Sequence, residues 1–340
     1  MAIKVAINGF GRIGRCVTRV IASRADVELV AVNDLADIET MCYLLQNDSV
    51  HGPFERDVEI VDAGHMRIGE RVVRVTSFAD PAKIDFAACG AEVVLECTGK
   101  FLTREAARVH LDNGVGKVLF SAPAQDEGTA HFVMGVNEHL YDGERILSNA
   151  SCTTNCLAPI VKTLDDAFGI EKGLMTTIHS YTNDQNILDV QHQKDIRRSR
   201  AAAVNMIPTT TGAAKAIDRV LPQLHGKLHG RSVRVPVPDV SMLDLNVVLK
   251  KETSREALSA LFKVQADGPM KGIMHVDTRH RVSQDFVGSS YSTIVADDLL
   301  QVIGGNLVKI MAWYDNEWGY SNRLVDMVAH IENSNTLSKE

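Results

Sequence analysis

The sequence predicts an α/β protein with a doubly wound parallel sheet over residues 1–150 and a mixed or antiparallel sheet over residues 151–315. In the first part, short apolar strands alternate with helical patterns, which is the order of βαβ units. In the second part, longer segments of alternating hydrophobicity predict half-buried strands. No flexible linker or repeat separates the two parts, so we expect one compact protein of two domains.

The first βαβ unit begins at the N-terminus. Lys4–Asn8 has the composition of a buried strand, and a glycine-rich turn follows it directly. A helical segment and a second strand come next, and Asp34 stands about 20 residues after the last glycine of the turn. Because the strand, turn, helix, strand and acid occur in this order, we predict a dinucleotide-binding unit. Its turn consists of Asn8, Gly9, Phe10, Gly11, Arg12, Ile13 and Gly14.

The chemistry of this turn indicates which dinucleotide it binds. Glycines allow the backbone to approach a pyrophosphate at a helix N-terminus. The carboxylate of Asp34 can accept hydrogen bonds from both ribose hydroxyls, and it would repel a 2′-phosphate. We therefore predict NAD rather than NADP as the cofactor.

Further strands extend the first sheet. We predict them at 92–97, 117–120 and 131–135. Thr98 and Gly99 follow the first of these, and Ser121 follows the second. Ligands bind at the carboxyl ends of such strands, so these three residues are predicted to contact the cofactor.

The second part contains predicted strands at 174–179, 232–237, 243–249 and 307–313. After them, a C-terminal helix is predicted over about 316–340. Its apolar residues recur at helical spacing and are expected to pack back on the first domain: Leu324, Val325, Met327, Val328 and Ile331.

A candidate nucleophile stands at the start of a predicted helix. Cys152 lies among Ser, Thr and Asn residues that can cap a helix N-terminus. The free N–H groups and positive dipole end of a helix favour an anion, so we expect the pKa of this thiol to be lowered. His179 is a candidate base, and Cys156, on the same helix face as Cys152, is interpreted as a buried structural residue.

Composition narrows the functional class. The formal net charge of −7 does not suggest nucleic-acid binding, and no apolar run is long enough to predict a membrane span or a secretory signal. The six cysteines lack the spacing of a disulfide framework, and no cluster with metal-ligand spacing occurs. We therefore expect a cytoplasmic protein without a metal.

Six motifs together carry a family resemblance. They are Asn8–Gly14, Ser148–Cys156, His179–Gln185, Thr211–Lys215, Arg234–Pro236 and Trp313–Tyr320. In this order the sequence resembles the phosphorylating glyceraldehyde-3-phosphate dehydrogenases, from about residue 3 to residue 332. The resemblance implies a glycolytic or gluconeogenic enzyme in which Cys152 forms a hemithioacetal and then a thioester, with His179 as the base.

The resemblance also implies the remaining site residues. Thr182, Asp184, Arg198 and Arg234 would bind the substrate phosphate, with Asp184 orienting an arginine. Ser151, Thr153, Thr211 and Gly212 would bind inorganic phosphate. Asn316 would hold the nicotinamide carboxamide, with Tyr320 as a nearby ring contact. A homotetramer is implied, chiefly by the loop around Val190.

The sequence departs from the usual family pattern at two places, and two alternative functions stay open. Ala79 stands where bacterial relatives usually carry an arginine near the adenine, and the loop Leu188–Asp195 has Val190 and Gln191 where many carry Leu-Pro. These departures leave the strictness of NAD selection open. The physiological direction is also open, because a catalyst serves both directions of its reaction. The alternatives are an erythrose-4-phosphate dehydrogenase, which hydrolyses its thioester, and a redox-sensing family member.

Overall fold

The computed structural model describes residues 2–193 and 195–337. Met1, Lys194 of the loop Leu188–Asp195, and positions 338–340 of the predicted C-terminal helix lie outside the described residues. The chain forms two compact units. The first consists of residues 1–132 and 138–150 and the chain from Ser321 onward, and the second of residues 133–137 and 151–320.

The first unit is built on a nine-stranded sheet. Its strands are β1 (Ile3–Asn8), β2 (Val27–Asn33), β3 (Val58–Asp62), β4 (His65–Ile68), β5 (Arg71–Thr76), β6 (Val93–Glu96), β7 (Lys117–Phe120), β8 (Ala130–His131) and β9 (Ile146–Ser148). Their spatial order is β3-β4-β5-β2-β1-β6-β7-β9-β8, and every pair from β5 to β8 is parallel. The hairpin of β3, β4 and β5 is antiparallel.

Three helices belong to this sheet: α1 (Arg12–Ala22), α2 (Ile38–Gln46) and α3 (Arg104–Asp112). The parallel strands are rich in apolar residues because they are buried; every residue of β6 and β7 is at most 8% exposed, including Glu96 and Lys117. Their side chains pack into a core with Phe86, Ile84 and Leu102. This arrangement confirms the predicted doubly wound domain.

The predicted strand at 131–135 is wrong beyond His131. Residues 134–137 form a turn in which the Val133 N–H donates to the Asn137 side chain at 2.8 Å and the Val136 N–H donates to the Val133 carbonyl at 3.0 Å. Gly135 has a φ of 80°, which a strand does not allow.

The second unit contains an eight-stranded mixed sheet. Its strands are β10 (Ile170–Ser180), β11 (Ile207–Thr209), β12 (Leu228–Val235), β13 (Ser241–Leu249), β14 (Met274–Asp277), β15 (Thr293–Ala296), β16 (Gln301–Ile303) and β17 (Leu307–Tyr314). Its helices are α4 (Cys152–Phe168), α5 (Ala213–Val220) and α6 (Arg255–Asp267). The strands β10 and β12 are parallel, as are β14 and β15, and the other pairs are antiparallel. The predicted mixed sheet is thus confirmed.

Helix α4 lies on this sheet and contacts β13, β15 and β17. Buried and partly buried residues alternate along β13, so one face of that strand packs under the helix. The packing fixes the start of α4, where Cys152 lies, relative to the strands that carry the other polar side chains of this unit.

The last helix is α7 (Trp318–Leu337). From Ser321 onward its residues belong to the first unit, where Leu324, Val325 and Ile331 are fully buried. The Glu332 carboxylate lies 2.5 Å from Lys117 Nζ on β7. No helix in the described ranges is both long and apolar enough to cross a membrane.

Candidate active site

Cys152 is the first residue of α4. Ser151 caps the helix, its hydroxyl accepting a hydrogen bond from the Thr154 N–H at 3.1 Å. Ala150, just before the cap, is buried and has a φ of 56°, a conformation that is uncommon for a residue with a Cβ. The predicted helix start is therefore confirmed, and the backbone before it is held in a strained geometry.

The sulfur of Cys152 lies 3.6 Å from Nε2 of His179. His179 stands near the end of β10, so the residues come together although they are 27 positions apart in the chain. The other ring nitrogen, Nδ1, lies 2.7 Å from the Ser180 carbonyl oxygen. Because a carbonyl only accepts, Nδ1 carries the proton and Nε2 presents its lone pair to the thiol.

Arg234 completes this side of the site. Its Nη1 donates to the Ser180 carbonyl at 2.9 Å and to the Thr182 hydroxyl at 3.3 Å. Nη1 also lies 2.9 Å from His179 Nδ1, but its two hydrogens go to these oxygens, so Nδ1 keeps the proton that it donates to the Ser180 carbonyl. Burial, helped by the positive charge of Arg234, lowers the pKa of His179 to about 3. The imidazole is therefore neutral at physiological pH.

The expectation of a lowered pKa for Cys152 is wrong. Cys152 is partly exposed, yet the atoms around its sulfur exclude enough water to raise the pKa of the thiol to about 11. The charge of Arg234 and hydrogen bonds from Thr153 oppose this shift but do not outweigh the desolvation. The thiol of Cys152 therefore keeps its proton at physiological pH.

Cys156 has the structural role predicted for it. It is fully buried one turn further along α4, where its thiol donates to the Thr293 hydroxyl at 3.4 Å. Burial raises its pKa to about 12, which keeps the thiol unreactive. All six cysteines, which are all described, are free thiols.

Tyr314 is a site residue that the sequence analysis did not single out. Its hydroxyl lies 2.8 Å from the Thr153 hydroxyl and 2.7 Å from that of Thr177, and its ring meets the His179 ring edge to face with centroids 6.0 Å apart. Burial raises the pKa of Tyr314 above its ordinary value. The only signal in the sequence was its place in the motif Trp313–Tyr320, directly after the strand predicted at 307–313.

The four predicted substrate-phosphate residues form one hydrogen-bonded cluster. The Thr182 hydroxyl donates to Asp184, and Arg198 Nη1 lies 2.6 Å from the other oxygen of Asp184. Burial opposes ionisation of Asp184, but the Thr182 hydroxyl and the charges of Arg234 and Arg198 hold its pKa below the ordinary value. Asp184 therefore orients Arg198, and two guanidinium groups are available for an anion.

The second set of predicted phosphate residues lies at two helix starts. Ser151 and Thr153 are at the start of α4. Gly212 is the residue before α5, and the Thr211 hydroxyl accepts from the Ala213 N–H at 3.2 Å. Helices α4 and α5 contact each other, and helix N-termini favour anions.

Asn316 is held by its side-chain carbonyl. That oxygen accepts hydrogen bonds from the Ser180 hydroxyl at 2.9 Å and from the Ser241 hydroxyl at 2.7 Å. The amide N–H groups are consequently the donors that Asn316 can offer a ligand. Tyr320, also buried, lies in the first turn of α7.

The predicted cofactor residues of the first unit lie at the carboxyl ends of four adjacent strands. The turn Asn8–Gly14 joins β1 to α1, Asp34 follows β2, Thr98 and Gly99 follow β6, and Ser121 follows β7. A Cβ on Gly14 would be 2.2 Å from the Gly9 carbonyl oxygen, so only glycine permits this close turn. Beside Gly11 the space is open, and α1 begins without a side-chain cap.

Asp34 accepts a hydrogen bond from the Phe10 N–H at 2.6 Å, which fixes its carboxylate beside the turn. An uncapped helix start, a turn with glycine at positions 9, 11 and 14, and a fixed acid fit the pyrophosphate and ribose of a dinucleotide. In the same turn, Arg12 is bound to Asp48 at 2.6 Å, so its guanidinium braces the turn.

Comparison with known proteins identifies the family. Residues 3–104 match the family "Glyceraldehyde 3-phosphate dehydrogenase, NAD binding domain", and residues 151–316 match its C-terminal domain. The chain is 50% identical over 333 residues to glyceraldehyde-3-phosphate dehydrogenase 1 of Bacillus subtilis, covering 97% of this chain and 98% of that protein. It is 49% identical over 333 residues to the Geobacillus stearothermophilus enzyme, covering 97% and 98%.

A relative with lower sequence identity also aligns over nearly the whole chain. Identity to glyceraldehyde-3-phosphate dehydrogenase A of Escherichia coli is 47% over 331 residues, covering 97% of this chain and 99% of that protein. The resemblance drawn from the six motifs is thus confirmed over nearly the whole length. The chain belongs to the glyceraldehyde-3-phosphate dehydrogenase family.

Proposed function

We propose that this protein is a phosphorylating dehydrogenase that converts D-glyceraldehyde 3-phosphate to 1,3-bisphosphoglycerate with NAD and inorganic phosphate. The observation that carries the proposal is the 3.6 Å contact between the Cys152 sulfur and His179 Nε2 in a member of this family. A thiol beside a neutral imidazole is the arrangement required for nucleophilic attack on an aldehyde.

Cys152 and His179 perform the proton and bond steps. Because burial keeps the thiol protonated at physiological pH, sulfur attacks the aldehyde carbon as its proton passes to His179 Nε2. The proton then passes to the aldehyde oxygen, which completes the hemithioacetal. His179 takes the hydroxyl proton back as the C–H bond breaks. Bound NAD would supply the acceptor for the hydride that this C–H bond releases.

The thioester that remains on Cys152 is attacked by inorganic phosphate. The C–S bond breaks, an acyl phosphate is released, and the sulfur regains a proton from His179. We assign the substrate phosphate to Arg198, Arg234 and Thr182, with Asp184 orienting Arg198. We assign the attacking phosphate to Ser151, Thr153, Thr211 and Gly212, which lie at the starts of α4 and α5.

We assign NAD contacts to residues of the first unit and, separately, to residues of the second unit. Residues Asn8–Gly14, Asp34, Thr98, Gly99 and Ser121 would hold the dinucleotide in the first unit. Asn316 would hold the carboxamide through its N–H groups, and Tyr320 would contact the ring. We propose residues 1–150 with the C-terminal helix as the NAD-binding domain and residues 151–315 as the catalytic domain.

The quaternary structure and location are also proposals. We infer a homotetramer that works in the cytoplasm in glycolysis or gluconeogenesis. What supports the assembly is a set of apolar side chains in or next to the loop around Val190, each at least 76% exposed: Ile187, Leu188, Ile196, Val204 and Met206. Exposed apolar patches of this kind mark protein interfaces.

The function is tested by following NADH formation with glyceraldehyde 3-phosphate and with erythrose 4-phosphate, each with and without inorganic phosphate. We expect rapid oxidation of glyceraldehyde 3-phosphate that depends on phosphate. A fast reaction that prefers erythrose 4-phosphate and needs no phosphate would contradict the proposal. NADP in place of NAD should support at most slow turnover because Asp34 repels a 2′-phosphate.

A further inference from the structure

A row of polar side chains lies at the carboxyl ends of the strands that lead into the proposed dinucleotide site. Thr76, Asn33, Asn8 and Glu96 end the neighbouring strands β5, β2, β1 and β6 and are direct register partners: Thr76 pairs with Asn33, Asn33 with Asn8, and Asn8 with Glu96. We call these four residues the polar row. Asn8 begins the glycine turn, and Thr98 stands two residues after Glu96, so the row underlies both loops assigned to the cofactor.

Hydrogen bonds run through the row in one direction. Thr76 Oγ1 donates to Asn33 Oδ1 at 2.9 Å, Asn33 Nδ2 donates to Asn8 Oδ1 at 2.9 Å, and Asn8 Nδ2 donates to Glu96 Oε2 at 2.7 Å. Asn33 also binds the backbone of Phe78 through both ends of its amide. Each amide therefore has one possible orientation.

Glu96 ends the row as an acceptor. It accepts from Asn8 through Oε2, and through Oε1 it accepts from the Thr98 N–H at 2.8 Å and from the Thr98 hydroxyl. The Phe78 backbone fixes Asn33, so Asn8 must turn its carbonyl to Asn33 and its NH2 group to position 96. The side chain at position 96 must therefore accept from both Asn8 and Thr98.

The carboxylate is completely buried, and this makes the arrangement costly to disturb. His110 on α3 is also fully buried, with Nε2 3.9 Å from Glu96 Oε2 and its ring stacked on Phe86. Neither ring nitrogen of His110 has a hydrogen-bond partner among the described residues. Burying a carboxylate costs free energy, so we expect a functional role for Glu96.

We propose that Glu96 is a positioning residue for the cofactor, because its carboxylate joins the loops after β1 and β6 by accepting from Asn8 in one and from Thr98 in the other. It acts through Asn8 and Thr98 rather than by touching NAD. The inference rests on the proposed dehydrogenase function for its cofactor, but it concerns binding of NAD and not the aldehyde.

The test compares Glu96→Gln, the double variant Glu96→Gln with Asn8→Asp, and Glu92→Gln. The first variant places an NH2 group opposite either the Asn8 NH2 group or the Thr98 donors, so one hydrogen bond is replaced by repulsion. In the double variant, the carboxylate introduced at position 8 accepts from the introduced amide and from Asn33, so the row is complete again. Glu92 is exposed at the opposite end of β6, where it accepts from the Lys4 N–H, and serves as the control.

The measurements are the NAD Kd by titration calorimetry and the Tm without NAD. We expect Glu96→Gln to weaken NAD binding at least about tenfold, the double variant to return to within about threefold, and Glu92→Gln to change Kd less than twofold. An unchanged Kd in Glu96→Gln, or no recovery in the double variant, overturns the proposal.

If Glu96→Gln does not fold, the double variant decides alone. It is expected to fold and bind NAD, and a double variant that does neither overturns the proposal. The Kd does not depend on the aldehyde, so a failed substrate assignment would be seen separately, as an unsubstituted protein that binds NAD but does not oxidise glyceraldehyde 3-phosphate.

Discussion

At the residue scale, the chemistry depends on two side chains whose ionisation is set by burial. Desolvation keeps the proton on Cys152 and keeps His179 neutral, so the pair is ready for a proton transfer that accompanies bond formation. The Nδ1–H bond to the Ser180 carbonyl selects the tautomer that can accept this proton.

Substituting the nucleophile should remove turnover without removing the cofactor site. Cys152→Ser is expected to lower kcat at least about 1,000-fold, because a hydroxyl is a far weaker nucleophile and leaving group than a thiol. NAD Kd should change less than about twofold. Steady-state kinetics and titration calorimetry check both values, with Cys156→Ser as the control that retains turnover. Retained activity in Cys152→Ser would exclude it from the mechanism.

The low pKa of His179 predicts a dependence of stability on pH. The folded pKa is about 3 against an ordinary 6.5, so between these values the unfolded chain binds more protons. The free energy of unfolding therefore falls as the pH falls from 6.5 towards 3, by up to about 1.4 kcal/mol per pH unit from this residue. His179→Gln should flatten the slope by that amount in urea unfolding.

The control for this measurement is His229→Gln, because the His229 side chain is exposed to solvent. We expect its slope to match that of the unsubstituted protein. Parallel curves for His179→Gln and the unsubstituted protein would show that His179 is not buried in its neutral form.

At the element scale, the two sheets follow from their patterns of hydrophobicity. Runs of buried residues gave parallel strands, and alternating residues gave the long strands of the second sheet. The strand predicted at 131–135 was wrong because Gly135 and Asn137 favour a turn, which the apolar run Phe132–Met134 does not reveal.

A glycine in the centre of the second sheet tests its packing. A Cβ on Gly173 in β10 would lie 2.4 Å from Val247 Cγ1 and 2.9 Å from the Asn246 carbonyl oxygen, so the neighbouring strand must move. Gly173→Ala should lower the free energy of unfolding by about 1–3 kcal/mol. In Gly64→Ala the nearest atom would be 3.7 Å away, and a change below about 0.5 kcal/mol is expected. Equal values in the two variants would contradict the packing described for β10.

At the scale of the whole molecule, the prediction concerns assembly. Light scattering after size exclusion should give a mass about four times the 37.2 kDa of one chain. The double substitution Ile196→Asp and Val204→Asp places two carboxylates on this exposed apolar surface. It should produce assemblies of lower mass than the tetramer, because carboxylates oppose burial of the surface. Val264→Asp, on α6 at 65% exposure, should leave the mass unchanged. A monomeric unsubstituted protein would exclude the tetramer.

The sequence by itself determined the family, the fold class, the glycine turn with Asp34, and the helix start at Cys152. These features depend on short-range chemistry, namely strand and helix periodicity, capping and the need for glycine at close turns, and they can be read from neighbouring residues. Only the tertiary structure decided which distant side chains meet: Cys152 with His179, Arg198 with Asp184, Tyr314 with Thr153, and Glu96 with Asn8. It also reversed the expected pKa shift of Cys152, because desolvation depends on all the atoms that surround a group and not on its position along a helix.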